Sequence, residues 1–194
     1  MTVGYGLTGS WRRDGLVVDG RRVADPSDVL WLQTPDWYAD IRLPRSEGQA
    51  TDNGPAALFA RPWAFAGIAS WDPPVMTWEH RFDSRLGAAV DSNPLVKAGD
   101  LLVEEGWVAH DGRRVPFAEE WRKISTRDHR VSALPRLQGV QITIGPWRIT
   151  IDDHRPAGDF LAVREGFDPA GWSEVGRLRV PPRRPPVGAG RRSS

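Results

Sequence analysis

Residues 29–44 read VLWLQTPDWYADIRLP. Side chains of a β-strand alternate between two faces, so the first half divides into Trp31 and Gln33 on one side and Leu30 and Leu32 on the other. Thr34-Pro35-Asp36 is a turn signal, after which Trp37, Ala39, Ile41 and Leu43 share a face opposite Tyr38, Asp40 and Arg42. Two strands follow from this pattern. Packing alone accounts for the apolar set. The phenol, carboxylate and guanidinium form either a solvated strand face or one inner wall of a pocket, and the inward placement is the expectation.

The same alternation recurs along the chain, at 8–18, 63–70, 75–83, 101–110, 140–144, 147–152, 160–165 and 172–180. Between these runs lie Asp19-Gly20, Asp25-Pro26, Asp72-Pro73-Pro74, Asp111-Gly112, Gly145-Pro146, Arg155-Pro156 and Asp168-Pro169. With 17 prolines and 20 glycines the sequence is too interrupted for long helices. The spacing predicts an all-β fold, an antiparallel up-and-down barrel of about 8–10 strands or a sandwich, with at most one or two short helices. Residues 116–123 (PFAEEWRK) read about equally as a short helix or a strand. Residues 46–55 form a polar loop, and 84–99 a loop or weak hairpin. Residues 1–180 are expected to form one domain.

The chain has 194 residues, 40% hydrophobic and 26% charged, a globular profile. No apolar run is long enough for a membrane span, and the N-terminus has no secretory pattern. Cysteine is absent, which removes disulfides and thiolate metal sites and fits a cytoplasmic protein. The net charge is +1, but the last fourteen residues, PPRRPPVGAGRRSS, hold four arginines and no acid, leaving the rest at about −3. That body gives no reason to expect nucleic-acid binding. Residues 181–194 read as a disordered, Pro- and Arg-rich basic tail.

Ten tryptophans are the unusual feature. Each brings a large apolar surface and one N–H in need of a partner. Gly9-Ser10-Trp11, on the first expected strand, resembles the N-terminal signature of the calycin superfamily, which includes lipocalins, fatty-acid-binding proteins and haem-binding barrels. GSWRRD, VLWLQTPDWYADIRLP and WAFAG together also resemble poorly characterised bacterial lipocalin-like proteins. The resemblance implies a barrel closed at one end by Trp11, packed against a basic side chain of the last strand, for which Arg177 and Arg179 are the candidates. The second lipocalin motif, of Thr-Asp-Tyr type, is missing.

Within such a barrel the face count nominates Trp31, Gln33, Tyr38, Asp40, Arg42, Trp78, His80, Glu104, Glu119 and Trp121 as pocket residues. In residues 75–83, Met76, Trp78, His80 and Phe82 fall on one side, so His80 is the best-placed histidine, either a hydrogen-bonded core residue or a functional one. His110 and His129 read as solvated, and His154, beside Asp152 and Asp153, reads as part of a polar turn rather than the metal site those residue types would also allow. In each of the pairs Glu104/Glu105 and Glu119/Glu120 one carboxylate turns inward, where aromatic surroundings raise its pKa. Either it serves as a general acid or it pairs with Arg42 or Arg164. His80, Glu119 and Arg42 are the catalytic candidates. No phosphate loop, Ser-His-Asp spacing or HExxH pattern is present, and the residues call for no cofactor or metal.

Three readings follow. The first is a carrier or sensor of one small hydrophobic or aromatic ligand, monomeric or homodimeric. The second is a barrel enzyme of secondary metabolism: a cyclase, isomerase or dehydratase. The third is an interaction module with tryptophan filler. A haem-binding barrel is a lesser alternative.

Overall fold

The computed structural model describes residues 6–45, 54–85, 89–126, 128–134 and 138–182. Most of the polar loop expected at 46–55 and of the tail expected at 181–194 lies outside the described residues.

Nine strands make the first sheet: β1 (Gly9–Val18), β2 (Arg21–Val23), β3 (Ser27–Gln33), β4 (Trp37–Pro44), β5 (Trp63–Asp72), β6 (Val75–Asp83), β7 (Val90–Ala98), β8 (Leu101–His110) and β9 (Arg113–Ser125). Each long strand pairs antiparallel with the next, and β9 returns to pair with β1, closing a barrel of eight strands. The three-residue β2 is a spur on the end of β1. Asp19-Gly20 and Asp111-Gly112 both have positive φ at each residue, 53° and 73°, then 49° and 76°, the backbone required by a tight two-residue hairpin. The segment 116–123 is strand throughout, and a strand also forms within 84–99. The helix described in this part of the chain is a short 3-10 segment, Pro55–Ala60.

The C-terminal segments build a second structure. Strands β10 (His129–Ala133), β11 (Gly139–Ile144), β12 (Trp147–Asp153), β13 (Phe160–Asp168) and β14 (Gly171–Val180) form a five-stranded antiparallel meander of their own. Its apolar face, Ile142, Ile144, Ile149, Ile151, Phe160 and Ala162, packs on the outside of the barrel against Leu30, Leu32, Ala39, Ile41, Ala64 and Ala66. This explains residues 29–44. The strands β3 and β4 are buried on both sides, with the barrel interior on one and the second sheet on the other, so alternation separates two cores rather than core from water.

The barrel interior has a tryptophan-rich end, completed by Met76, Leu95 and Leu102. Trp31 stacks on Trp11 at 5.5 Å and meets Trp121 and Trp78 edge-on at 5.4 and 5.9 Å. Such offset and edge-to-face pairs add about 0.5–1.5 kcal/mol each beyond burial. Trp11 closes this end, its indole N–H donating to the Leu7 carbonyl. The basic partner is Lys123 on β9, whose Nζ lies 4.5 Å from the ring and whose backbone is in register with Trp11. Arg177 and Arg179, expected in this role, sit on β14 outside the barrel, paired with Glu174 and Asp159. The last strand of the barrel is β9, not the last strand of the chain.

One irregularity matters for the site. Between Ala66 and Gly67 the β5–β6 register shifts, Ala66 opposing Phe82 and Gly67 opposing His80. Beyond this bulge the faces exchange. Met76, Trp78 and His80 point inward as expected, but Phe82 packs outside under the second sheet and Asp83 turns to His80. Gly67 permits the close approach: a Cβ there would lie 1.9 Å from the Glu79 carbonyl oxygen.

Candidate functional site

Above the tryptophan cluster the interior changes character. Arg13 from β1 is 1% exposed and is held on both sides. Its Nε and Nη2 donate to Asp25 at 2.8 and 2.6 Å, and its Nη1 donates to Glu119 Oε1 at 2.5 Å. The same Glu119 oxygen accepts from Arg42 Nη1 at 3.0 Å, and Arg42 Nε donates to Asp40 at 3.0 Å. A chain of five charges, Asp25–Arg13–Glu119–Arg42–Asp40, therefore crosses the barrel from β1 through β9 to β4. Shared geometry of this kind is what makes buried charges tolerable.

Glu104 on β8, opposite Glu119, adds a further carboxylate. It accepts from Asn93 Nδ2 at 2.8 Å and from the Trp121 indole at 3.1 Å. Burial and the neighbouring charge of Glu119 push its pKa up to about 8 against the opposing pull of Arg42, so it keeps its proton at neutral pH. Burial likewise raises Asp40, although Arg42 counteracts it.

A second array surrounds His80. Its Nδ1 lies 2.8 Å from Asp83, and its Nε2 lies 3.2 Å from Asp91, off the line of a well-formed hydrogen bond. Burial pushes the imidazole down, but the two carboxylates outweigh it and hold it up at about 9. His80 also stacks on Phe65 at 4.5 Å. Asp83 organises the rim as well, accepting from the Trp63 indole at 2.7 Å and from the Arg85 backbone N–H at 2.7 Å. The second sheet braces this corner: Arg155 donates to the Asp83 and Ser84 carbonyls while paired with Asp153.

Two hollows meet here. A deep cavity of about 30 Å³ lies among Trp31, Tyr38, Asp40, Arg42, Phe65, Trp78, Asp91, Glu104 and Trp121. An open mouth of about 580 Å³ is walled by Trp63, Phe117, Leu58 and Trp107, with Arg61 and Arg85 at its rim. Arg42, Asp91 and Glu104 line both. The Arg85 guanidinium lies 4.1 Å over the Trp63 ring, and Arg42 approaches the same ring at 5.4 Å.

Of the residues nominated from the sequence, Trp31, Tyr38, Asp40, Arg42, Trp78, Glu104 and Trp121 line the deep cavity. Glu119 borders the mouth, and His80 stands behind Phe65. Gln33 is held at the closed end, accepting from the Trp31 indole at 3.2 Å and donating to the Thr34 carbonyl at 2.6 Å. Arg164, an expected partner of Glu119, instead pairs with Asp28 on the outer side. Sequence reasoning missed Arg13, Asp83, Asp91, Trp63 and the rim arginines. Arg13 was within reach, two residues after Trp11 and on its face. Asp83 was not, because the bulge reverses the count.

No protein-family model matches the chain, and no curated protein matches it. Among solved structures, an uncharacterized protein from Saccharomyces cerevisiae superposes with a TM-score of 0.61 at 16% identity, over 87% of this chain and 84% of that one. At this identity the likeness is one of fold, an eight-stranded antiparallel barrel consistent with a calycin-like arrangement.

Proposed function

We propose that the chain binds one small ligand at the open end of its barrel, as a carrier or sensor. The observation that carries this reading is the stacking of a roomy, partly aromatic mouth on a floor of buried charge. Burying Arg13, Arg42, Asp40, Glu104 and Glu119 gains little stability over an apolar filling of the same volume. A barrel that merely filled its core would use branched apolar residues there. Pockets, by contrast, combine apolar walls with a few placed polar groups. The tryptophans at the closed end fill the interior instead of enclosing a large hollow, so the ligand body belongs in the mouth, against Trp63 and Phe117, with a small group reaching the floor.

Native mass spectrometry of the freshly purified chain, followed by tryptophan-fluorescence titration with a panel of small aromatic compounds, tests this reading. A retained mass, or a saturable change lost in Trp63→Ala, supports it. No retained mass and no saturable response from any compound contradicts it.

A second reading, a barrel enzyme of cyclase, isomerase or dehydratase type, draws on Glu104. This carboxyl holds its proton near neutral pH beside a cavity, as a general acid does. The earlier catalytic candidates fit less well, since Arg42, Glu119 and His80 are each held by charged neighbours. Conversion of the retained compound, lost in Glu104→Gln, is the sign of catalysis.

A further inference from the structure

The floor of the cup has more negative groups than positive ones. Arg42 faces Asp40, Glu119 and Glu104, while Arg13 is already taken up by Asp25 and Glu119. Glu104 receives hydrogen bonds from Asn93 and Trp121, both neutral donors, and among the described residues no cation lies within ion-pairing distance of it. Asp91, also in the cavity wall, belongs to the His80 array, where one imidazole serves two carboxylates.

A second, independent feature lies in the same cavity. Tyr38 is fully buried, lines the cavity wall, and its hydroxyl finds no hydrogen-bond partner among the described residues. An orphaned buried hydroxyl carries an uncompensated desolvation cost of about 1–3 kcal/mol. Burial first, and then the charges of Asp91 and Asp40, drive its pKa far up, so the hydroxyl keeps its proton. The remaining walls are the aromatic side chains of Trp31, Trp78, Trp121 and Phe65. A carboxyl group with no ion pair of its own among the described residues, a hydroxyl free to accept, and aromatic rings describe a cage for a positive group. A cavity of about 30 Å³ suits a group of roughly the size of one water molecule. Among the described residues no cluster has the arrangement of a metal site.

We propose that the floor of the cup receives the primary ammonium group of an organic amine, whose body lies in the mouth against Trp63. This rests on the ligand-binding role above and gives it a chemical class. The ammonium donates to Glu104 and to the Tyr38 hydroxyl, and its charge balances the excess carboxylate. At the rim Arg61 and Arg85 stand beside the outer part of the ligand, which is therefore neutral or acidic. Binding is coupled to a proton. Near neutral pH the Glu104 carboxyl holds one, which passes to solvent as the ammonium takes its place. Asp40 and Asp91 line the same cavity, Glu119 acts on Glu104 from beside it, and Arg42 is the cation opposing them.

Calorimetric titration of the full chain with benzylamine, benzyl alcohol and benzoate, in buffers of different ionisation enthalpy, tests this. Benzylamine is expected to bind about tenfold or more tightly than benzyl alcohol, releasing close to one proton per molecule bound at pH 7. Its affinity is expected to rise by up to about tenfold per pH unit towards pH 8. Glu104→Gln removes both the proton release and the preference for amine over alcohol, and Tyr38→Phe weakens the amine selectively. Tighter binding of benzoate or benzyl alcohol, or amine binding without proton release, overturns the amine assignment while leaving a ligand-binding barrel. Absence of binding by all three, together with a silent aromatic panel, removes both readings.

Discussion

Glu119 Oε1 accepts hydrogen bonds from two guanidiniums, Arg13 at 2.5 Å and Arg42 at 3.0 Å, inside a closed barrel. One carboxylate thus joins β1 to β4 across the interior and holds both arginines in fixed rotamers. It is the joint on which the floor of the mouth is built. Removing any one member leaves the others buried with unmatched charge.

Arg13→Met is accordingly expected to destabilise the fold by about 3–5 kcal/mol. The double variant Arg13→Met/Glu119→Gln should recover part of that loss, because it no longer leaves Glu119 ionised without its first partner. Urea unfolding of both variants and the parent checks this. Equal or greater loss in the double variant speaks against a charge-balance origin.

The pH dependence of stability has a definite sign. Glu104 titrates higher in the fold than in the unfolded chain, up from 4.5 to about 8, mainly through burial. The unfolded state gives up this proton first, so stability falls as pH rises between these values. His80 is raised by its two carboxylates, against burial, from 6.5 to about 9. Its contribution is complete below about pH 6.5 and is lost as pH rises through about 9. Both groups make the protein less stable towards alkaline pH. Denaturant midpoints between pH 5 and 9 should decline, and Glu104→Gln should flatten the lower part of that decline.

Tyr38→Phe removes a buried hydroxyl that has no hydrogen-bond partner among the described residues. The expectation is an unliganded protein equal to the parent or more stable by up to about 1 kcal/mol, not the usual penalty for altering a core tyrosine. A loss of more than about 1 kcal/mol in thermal or urea unfolding would show that the hydroxyl has a stabilising partner.

Gly67→Ala tests the bulge. Its new methyl would meet the Glu79 carbonyl at 1.9 Å, against backbone that cannot rotate away. Destabilisation of about 1–3 kcal/mol or more is expected. The environment of Trp63 should change as well, because Asp83, which holds its indole, is placed by the same bulge. Circular dichroism in the aromatic region, beside unfolding curves, reads both effects.

The barrel was legible in the sequence because alternation is a local property and tight turns punctuate it. Residues 29–44 were readable to the level of individual faces: Tyr38, Asp40 and Arg42 line the interior, while Ala39 and Ile41 pack outward. What the outward set packs against was not legible. An apolar strand face looks the same whether it meets a barrel lumen or a second sheet, so β11 to β14 read as further barrel strands. The same error put the basic partner of Trp11 on β14, when Lys123 on β9 supplies it. His80 was placed correctly and its partner Asp83 was not, since a bulge of one residue reverses every face after it. The tryptophans expected to line a ligand pocket enclose a cavity of only about 30 Å³, because stacked indoles fill space as readily as they line it.

The most direct test follows the indole N–H resonance of Trp121, which donates to Glu104. In ¹⁵N-tryptophan spectra of the full chain this signal should titrate near pH 8. It should shift on saturation with benzylamine together with that of Trp63, while the indole of Trp172 on the second sheet stays still. A Trp121 resonance that ignores both pH and ligand, or shifts confined to Trp172, would contradict a ligand site on the floor of the barrel.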